Sequence, residues 1–301
     1  MIWVLILIVA HLFYAGVFIL DKYILAKPMP NPIVYAFWVG LLGIFILFLI
    51  PLGLMFPEIK FVMPNKTEVF WGLIAGIAQI WALVVFYKAL HKSEVSRLVP
   101  FVGGISAMFI LLLNAITIHE FFTTNQVIAF ILLVMGSLII GIKKKESFGR
   151  GIFGLAVLSA FLFAVFWLIT KYLFLGTNFV SGLIWVRTGV AIIALMLLFS
   201  RKNRKMIFTK TSEVKPKTTK FFLLGRGLNV LGSLFLYGAV FLGNVVLINA
   251  MQGLQYLFVL ILALFLYKKI PNLKEHFNKE TLFQKIFAIL LICVGLGFLI
   301  I

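Results

Sequence analysis

The sequence predicts an all-α membrane protein in which ten transmembrane helices form an inverted repeat of two five-helix halves. Three observations support this prediction: the chain is rich in apolar residues, it divides into ten apolar segments, and its second half repeats features of its first. Hydrophobic residues fill 63% of the 301 positions and charged residues only 12%, whereas soluble domains carry about 25% charged residues. A water-soluble fold could not bury this much apolar surface.

Ten segments are apolar enough to cross a bilayer, which takes about 20 residues of helix. They lie near residues 3–21, 33–56, 69–90, 97–118, 124–142, 152–171, 179–200, 221–241, 245–267 and 282–301. Prolines stand where connections are needed, as at Pro28, Pro30 and Pro32 after the first segment. The longest connection, 201–220, is too short and too polar to be a folded domain.

Four pairs of segments share residues in the same order, which predicts two related halves, 1–145 and 146–301. The shared residues are Lys22-Tyr23 and Lys171-Tyr172, Trp38-Val39 and Trp185-Val186, Tyr87 with Ala89 and Tyr237 with Ala239, and Ala129 with Gly136 and Ala288 with Gly295. Because each half has an odd number of spans, the second half inserts upside down relative to the first.

Basic residues give the predicted orientation. The net charge is +18, a balance that also occurs in nucleic-acid-binding proteins, but most of the 27 Lys and Arg cluster in or beside the odd-numbered connections. Such clusters mark the cytoplasmic side, so we expect both termini outside and no nucleic-acid partner. The first apolar run lacks a preceding basic region and is long enough to span, so it is predicted to be a span rather than a cleaved signal peptide.

The join between the fourth and fifth segments carries a family pattern. Residues 115–141 form an apolar helix that ends at Glu120, a short polar link, and a helix with Gly136 before its end. With the repeat, this pattern resembles the drug/metabolite transporter superfamily, specifically its ten-span EamA-like transporters. The second half departs from it, because Lys268 stands where a Glu is expected, although Gly295 is kept.

This resemblance implies export or exchange of metabolites such as amino acids, nucleosides or sugar derivatives. It also implies a central cavity between the first, third, fourth, sixth, eighth and ninth helices, with the fifth and tenth helices as scaffold.

Polar side chains are costly in lipid and tend to face the bundle interior, so each is a candidate substrate-binding residue. The ninth segment is the richest in them, with Asn249, Gln252, Gln255 and Tyr256 within eight positions. Amides offer both donors and acceptors, which suits a neutral or zwitterionic solute. The alternative is that these amides hydrogen-bond across helices and hold the packing together.

The other candidates are spread over five segments. His11 and Tyr14 share one face of the first segment, where a buried His can relay protons or simply be a packing residue. Arg187 lies within the seventh segment, where a permanent cation needs a partner, binds an anionic substrate, or extends to the interface. The remaining candidates are Gln79, Trp81, Asn114 and Asn229. For these, substrate contact and packing both stay open.

Two further features concern packing and coupling. Gly72 and Gly76 form a small-xxx-small face, which predicts close approach of another helix. Acidic residues number only nine, and neither Asp21 nor Glu120 is expected in the middle of a span. This argues against proton antiport through a carboxylate and favours uniport, exchange or coupling through a His.

Motifs of other protein classes are missing. The sequence has no Walker A loop, no Gly-x-Ser-x-Gly elbow and no metal-ligand spacing, so we expect no enzymatic activity, cofactor or metal. Its single cysteine, Cys293, can form no internal disulfide. The expected partners are a small-molecule substrate and the lipid bilayer, and the sequence carries no signal for an oligomeric state.

We therefore predict a multi-pass secondary transporter of the prokaryotic cell (inner) membrane, an exporter or exchanger of small metabolites that works by alternating access. A flippase for lipid-linked or phosphorylated intermediates is the alternative within transport, because 33 Phe suit a lipid tail and Arg187 suits a phosphate. A non-transport membrane assembly subunit is a further alternative.

Overall fold

The computed structural model describes residues 2–24, 31–48, 50, 61–93, 95–119, 121–141, 149–212, 216–266 and 279–300. Every regular element in these ranges is helical. The α-helices are α1 (Ile2–Ile24), α2 (Pro32–Leu41), α3 (Lys66–Leu90), α4 (Val95–Ile116), α5 (Thr124–Gly141), α6 (Arg150–Gly176), α7 (Phe179–Met196), α8 (Arg201–Ser212), α9 (Pro216–Leu242), α10 (Val245–Ala250), α11 (Gly253–Leu266) and α12 (Lys279–Ile300). Short 3₁₀ turns, Leu42–Phe48 and Leu197–Phe199, extend α2 and α7.

Six helices of the described ranges are long and apolar enough to cross a membrane: Ile2–Leu20, Lys66–Leu90, Leu98–Ile116, Arg150–Gly176, Phe179–Phe199 and Leu224–Leu242. Shorter apolar helices cover the other predicted segments: Pro32–Phe48, Thr124–Ile140, Val245–Val259 and Phe283–Leu299. The predicted all-helical membrane class is therefore confirmed. The ten-span inverted repeat stays a prediction. Glu120 and Lys268, which belong to the family pattern, lie outside the described residues.

Asparagine side chains begin several helices by accepting hydrogen bonds from backbone N–H groups of the first turn. Asn65 caps α3 and forms a capping box, in which Glu68 accepts in return from the Asn65 N–H at 2.9 Å. Asn178 caps α7 by accepting from the Ser181 N–H at 2.9 Å, and Asn244 caps α10. Each of these residues satisfies a donor that lipid could not satisfy.

The sixth span is longer than predicted, because α6 continues to Gly176 and Lys171 lies inside it rather than at its end. Its side chain is 5% exposed. The Nζ donates hydrogen bonds to the carbonyl oxygens of Val240 at 3.2 Å and Gly243 at 2.7 Å. These carbonyls lie at the C-terminal end of α9, where the helix dipole favours a cation. Hydropathy alone placed Lys171 at a span end, whereas the structure compensates its charge in the interior.

The predicted loop 201–220 is also corrected, because it contains α8 and the beginning of α9. Arg, Lys and Met are good helix formers, so a low hydropathy does not prevent a helix here. Ile207 is fully buried in the main core, while Arg201 and Lys202 are exposed. The helix is thus anchored by an apolar side chain and presents basic residues outward.

The backbones of α3 and α7 touch where these helices cross. A Cβ built on Gly76 would collide with the Gly189 carbonyl, and one built on Gly189 would collide with the Gly72 carbonyl. One built on Gly72 would lie 3.2 Å from the Trp185 carbonyl oxygen. The predicted small-residue packing face is therefore confirmed, and α7 is its partner.

A second glycine-mediated contact joins α5 to α12. A Cβ on Gly136 would lie 2.9 Å from the Ala288 carbonyl oxygen, and one on Gly295 would lie 3.2 Å from the Ala129 carbonyl oxygen. The later part of each helix thus meets the earlier part of the other. The two helices therefore run antiparallel.

The close α3–α7 crossing predicts that a side chain at Gly189 destabilises the protein. The Gly189→Ala variant should lower the free energy of unfolding by about 1–3 kcal/mol, because the added methyl group must push apart two backbones. Thermal unfolding of the detergent-purified protein measures this. Gly154→Ala is the matched control, since a Cβ at Gly154 meets nothing within 4 Å. Equal midpoints for the two variants would contradict the tight crossing.

Candidate functional site

The ninth predicted span is broken in its middle. α10 ends at Ala250, α11 begins at Gly253, and the turn Met251–Gln252 lies between them. Here the backbone hydrogen bonds tighten to i→i−3, with the Gln252 N–H donating to Asn249 O at 3.2 Å and the Gln255 N–H to Gln252 O at 3.2 Å. Irregular backbone at membrane depth is tolerated where it is buried in protein or lines a cavity.

The amides of this span have different surroundings. Asn249 is buried, and its Nδ2 donates to the Val245 carbonyl oxygen at 2.9 Å, within its own helix. Gln252 is half-buried and lies on Gly103 of α4, where a Cβ would come within 2.7 Å of its Oε1. Gln255 is 4% exposed. The Asn249 amide thus serves its own helix, while Gln252 and Gln255 reach neighbouring helices.

His11 lies buried beside Gln255. It is 3% exposed, and the Gln255 amide is close to its ring. Neither ring nitrogen has a hydrogen-bond partner of acceptable geometry among the described residues. The buried Tyr256 hydroxyl also has no partner in this part of the chain. Buried polar atoms are nearly always hydrogen-bonded, so these atoms mark a place where a polar ligand or water is expected.

A second polar group adjoins the first along α1. The half-buried guanidinium of Arg187 lies against Gly43, where a Cβ would be 2.8 Å from Nη2 and 2.9 Å from Nε. The Tyr237 hydroxyl lies beside the same guanidinium, close enough to hydrogen-bond to it. Tyr14, one helical turn after His11, is within electrostatic range of both Arg187 and Tyr237. The Arg187 side chain therefore turns toward its neighbours in the bundle.

The two groups share one layer of the bundle. Its members are His11, Arg187, Tyr237 and Gln252. His11, Arg187 and Tyr237 lie five to nine residues from one end of their helices, or about 8–14 Å of helix rise, and Gln252 follows the start of α10 by seven residues. Trp3 packs over Gly243, which brings the start of α1 level with the end of α9. These side chains therefore lie at similar depths within the spans.

Some predicted residues do not join this layer. Gln79 has a buried Oε1 without a partner among the described residues, but Trp81 is 49% exposed, on the opposite face of α3 with Ile77. Two residues of helix rotate a side chain by about 200°, which separates them. Asn114 is buried near the end of α4. Asn229 is half-buried, and no described contact connects it to His11 or Arg187.

Three residues of the site were not among the predicted candidates. Tyr237 entered the sequence analysis only as a repeat match, and Gly43 and Gly103 give no polar signal. A Gly103-Gly104 pair close to Pro100 in one apolar run was the available hint, because glycines in a span mark close approach. Gly43 stands among apolar residues, and no pattern connects it to Arg187.

Comparison with known proteins agrees with this fold. The model of the EamA-like transporter family matches residues 1–142, and no curated protein matches the chain. Among 28 matching chains of solved structures is a protein crystal structure with 14% identity and a TM-score of 0.67, covering 98% of this chain and 97% of its own. At that identity the likeness shows the fold alone. The first 142 residues therefore match the EamA-like transporter family, which confirms the resemblance to the drug/metabolite transporter superfamily over this part of the chain.

Proposed function

We propose that this protein is a secondary transporter of small polar metabolites, an exporter or exchanger that works by alternating access. The observation that carries the proposal is His11, buried with both ring nitrogens unpartnered among the described residues, beside Gln255 at the break in the ninth span. His11 belongs to residues 1–145 and Gln255 to residues 146–301. Inverted-repeat transporters bind substrate at the interface between their repeats, often at broken helices.

The side chains of this region suit a neutral or zwitterionic solute. The amides of Gln252 and Gln255 each offer a donor and an acceptor, a neutral His11 offers one of each, and the Tyr256 hydroxyl can do either. None of these groups carries a fixed charge. A solute that satisfies them would replace the hydrogen bonds that the buried atoms lack.

The α5–α12 contact supports the inverted repeat of ten spans. Ala129 and Gly136 match Ala288 and Gly295 in the sequence repeat, and in the structure Gly136 meets Ala288 while Gly295 meets Ala129. A two-fold axis perpendicular to two antiparallel helices exchanges their matched positions in this way. Such an axis lies in the membrane plane, as an inverted repeat requires.

Helix pairing gives further support. The first span packs on the eighth (α1 on α9), and the third packs on the sixth (α3 on α6). In the repeat, the first span corresponds to the sixth and the third to the eighth, so exchanging the two halves converts one of these pairs into the other. Among the described residues, however, the glycine crossing of α3 with α7 has no counterpart between α9 and α2. Alternating access requires a departure from symmetry, because the two repeats must adopt different conformations in each state.

Basic residues of α8 support an orientation with both termini outside. Four of them, Arg201, Lys202, Arg204 and Lys205, are exposed on the connection between α7 and α9. Such short basic connections stay in the cytoplasm. The prokaryotic cell (inner) membrane remains the proposed location.

Flux through proteoliposomes tests the proposed function. A panel of amino acids, nucleosides and sugar derivatives should contain at least one transported solute. For that solute, Gln255→Leu should reduce flux about tenfold or more, because a buried polar contact is lost. Trp81→Leu, on an exposed face of α3, should leave flux unchanged. Equal flux in both variants would contradict the site. Scrambling of a labelled lipid without solute flux would favour a flippase.

Cysteine cross-linking tests the antiparallel repeat contact. In a Cys293→Ser background, the pair Ala129→Cys with Gly295→Cys should form a disulfide under mild oxidation. The control pair Ala129→Cys with Ala288→Cys should not, because Ala288 lies seven residues away from Gly295, or about 10 Å along α12. Preferential cross-linking of the control pair would contradict the arrangement.

Labelling from one side tests the orientation. Phe121 is 95% exposed after α4, and Lys202 is exposed in α8. With Cys293 replaced by Ser, Phe121→Cys should react with a membrane-impermeant maleimide on intact cells. Lys202→Cys should react only after permeabilisation. The reverse pattern would show that the termini face the cytoplasm.

A further inference from the structure

Arg187 is a permanent cation in the middle of a span. It is the ninth residue of α7, eight residues or about 12 Å of rise from Phe179. A charge at this depth is costly unless it is paired. Its guanidinium does not extend toward an interface, because it lies against Gly43 and beside the buried Tyr237. The charge therefore needs compensation inside the bundle.

The described part of the chain holds no carboxylate that could compensate it. One acidic side chain is described, Glu68, and it accepts the Asn65 N–H in the capping box of α3. In the described helices that precede α12, Asp21 is the only other acidic residue. It lies seven residues beyond Tyr14, about 10 Å of rise further along α1. The other acids precede helices, follow them or begin α12.

A second buried cation, Lys171, is compensated by hydrogen-bond acceptors in a way that Arg187 is not. Lys171 lies among carbonyl oxygens at the end of α9, two of which accept its hydrogen bonds. Arg187 instead lies beside the Tyr237 phenol, close enough to hydrogen-bond to it, and within electrostatic range of Tyr14. A phenol hydroxyl can accept one hydrogen bond from the guanidinium and still donate its own proton to a third group. Among the described residues, the surroundings thus add donors to the cation and no balancing negative charge.

We propose that Arg187, Tyr237 and Tyr14 bind the carboxylate of the transported solute. The planar guanidinium presents paired N–H donors that match a carboxylate, and the two phenols add O–H donors at its edge. One positive charge balances one carboxylate. Gly43 makes the site possible, since any side chain there would displace the guanidinium.

This inference rests on the proposed function and names its substrate class. His11 lies one helical turn before Tyr14, and Gln255 lies beside His11. A carboxylate at Arg187 would thus bring the rest of a small solute to the amide oxygens and the His11 ring. Those groups accept hydrogen bonds from an ammonium or hydroxyl group. The site therefore suits a small α-substituted carboxylic acid, of which an amino acid is one.

Competition between acids and their carboxamides tests the proposal. Each amino acid and its carboxamide are used as competitors of proteoliposome flux and as ligands in thermal unfolding of the purified full-length protein. The wild-type protein should prefer the acid about 10- to 100-fold, the value of a charge-assisted hydrogen-bond pair. Arg187→Gln should remove this preference, and Arg187→Lys should restore part of it, because it keeps the charge and loses the fork.

Tyr237→Phe is the second variant, because it removes one hydroxyl and keeps the ring that packs against Trp167. It should reduce the preference for the acid severalfold without changing affinity for the carboxamide. Tyr172→Phe is the matched control, since Tyr172 is 48% exposed on α6 and should leave the preference unchanged.

The outcomes separate this inference from the proposed function. Flux of a solute with equal competition by acid and carboxamide, or an acid preference that survives Arg187→Gln, would overturn the carboxylate site and leave the transporter proposal intact. Stronger competition by inorganic phosphate than by any carboxylate would overturn it in favour of a phosphorylated substrate. If no solute moved, the transporter proposal would fail, and thermal unfolding with the same ligands would still decide whether Arg187 binds carboxylates.

Discussion

Lipid provides no hydrogen bonds, so each polar group inside a span must find its partner within the protein. Lys171 does this structurally, because its Nζ donates to carbonyl oxygens that end α9. His11 makes no such bond among the described residues, and Arg187 lies beside phenols rather than a carboxylate. The same constraint therefore divides the buried polar residues into those that hold helices together and those that we propose bind a solute.

Glycine has two uses in this bundle, and both depend on the missing side chain. Between α3 and α7 it lets two backbones touch, as Gly76 and Gly189 do. Elsewhere it makes room for a long polar side chain: Arg187 lies on Gly43, and Gln252 lies on Gly103. In each of the latter pairs the polar residue and its glycine come from different spans. The helix packing thus determines where the polar groups of the site can lie.

Hydropathy was enough to predict the apolar segments, since membrane insertion depends on summed apolar character rather than on particular contacts. It could not predict the break at Met251–Gln252, because the segment as a whole is apolar enough to span and a change in hydrogen-bond register has no signal in composition. Nor could it predict α8, whose basic residues reduce hydropathy without preventing a helix. The ten-span inverted repeat remains a prediction that the paired glycines of α5 and α12 support.

Helical periodicity separates two of the predicted substrate-binding residues. Gln79 and Trp81 are two residues apart, so a helix turns them to opposite faces, and Trp81 is exposed. Other members of the site were beyond sequence reasoning. The contact of Gly43 with Arg187 joins residues 144 positions apart in different spans, and no local pattern in the sequence connects them.

The proposed repeat and the proposed site differ in one informative respect. Repeat-matched positions such as Gly136 and Gly295 join α5 to α12, and Tyr237 has a counterpart in Tyr87, but the cation and the imidazole of the site are not duplicated. At the repeat offsets, His11 corresponds to the buried Ala160 and Arg187 to Gly40. A duplicated Arg187 would give two cations at pseudo-symmetric positions and a site for a symmetric dianion. Because Arg187 and His11 each occur once, the proposed site has one charged end and one neutral end. These two ends match a solute with a single carboxylate. In the proposed transporter, the repeated scaffold would supply the two alternating states and the unduplicated side chains the selectivity.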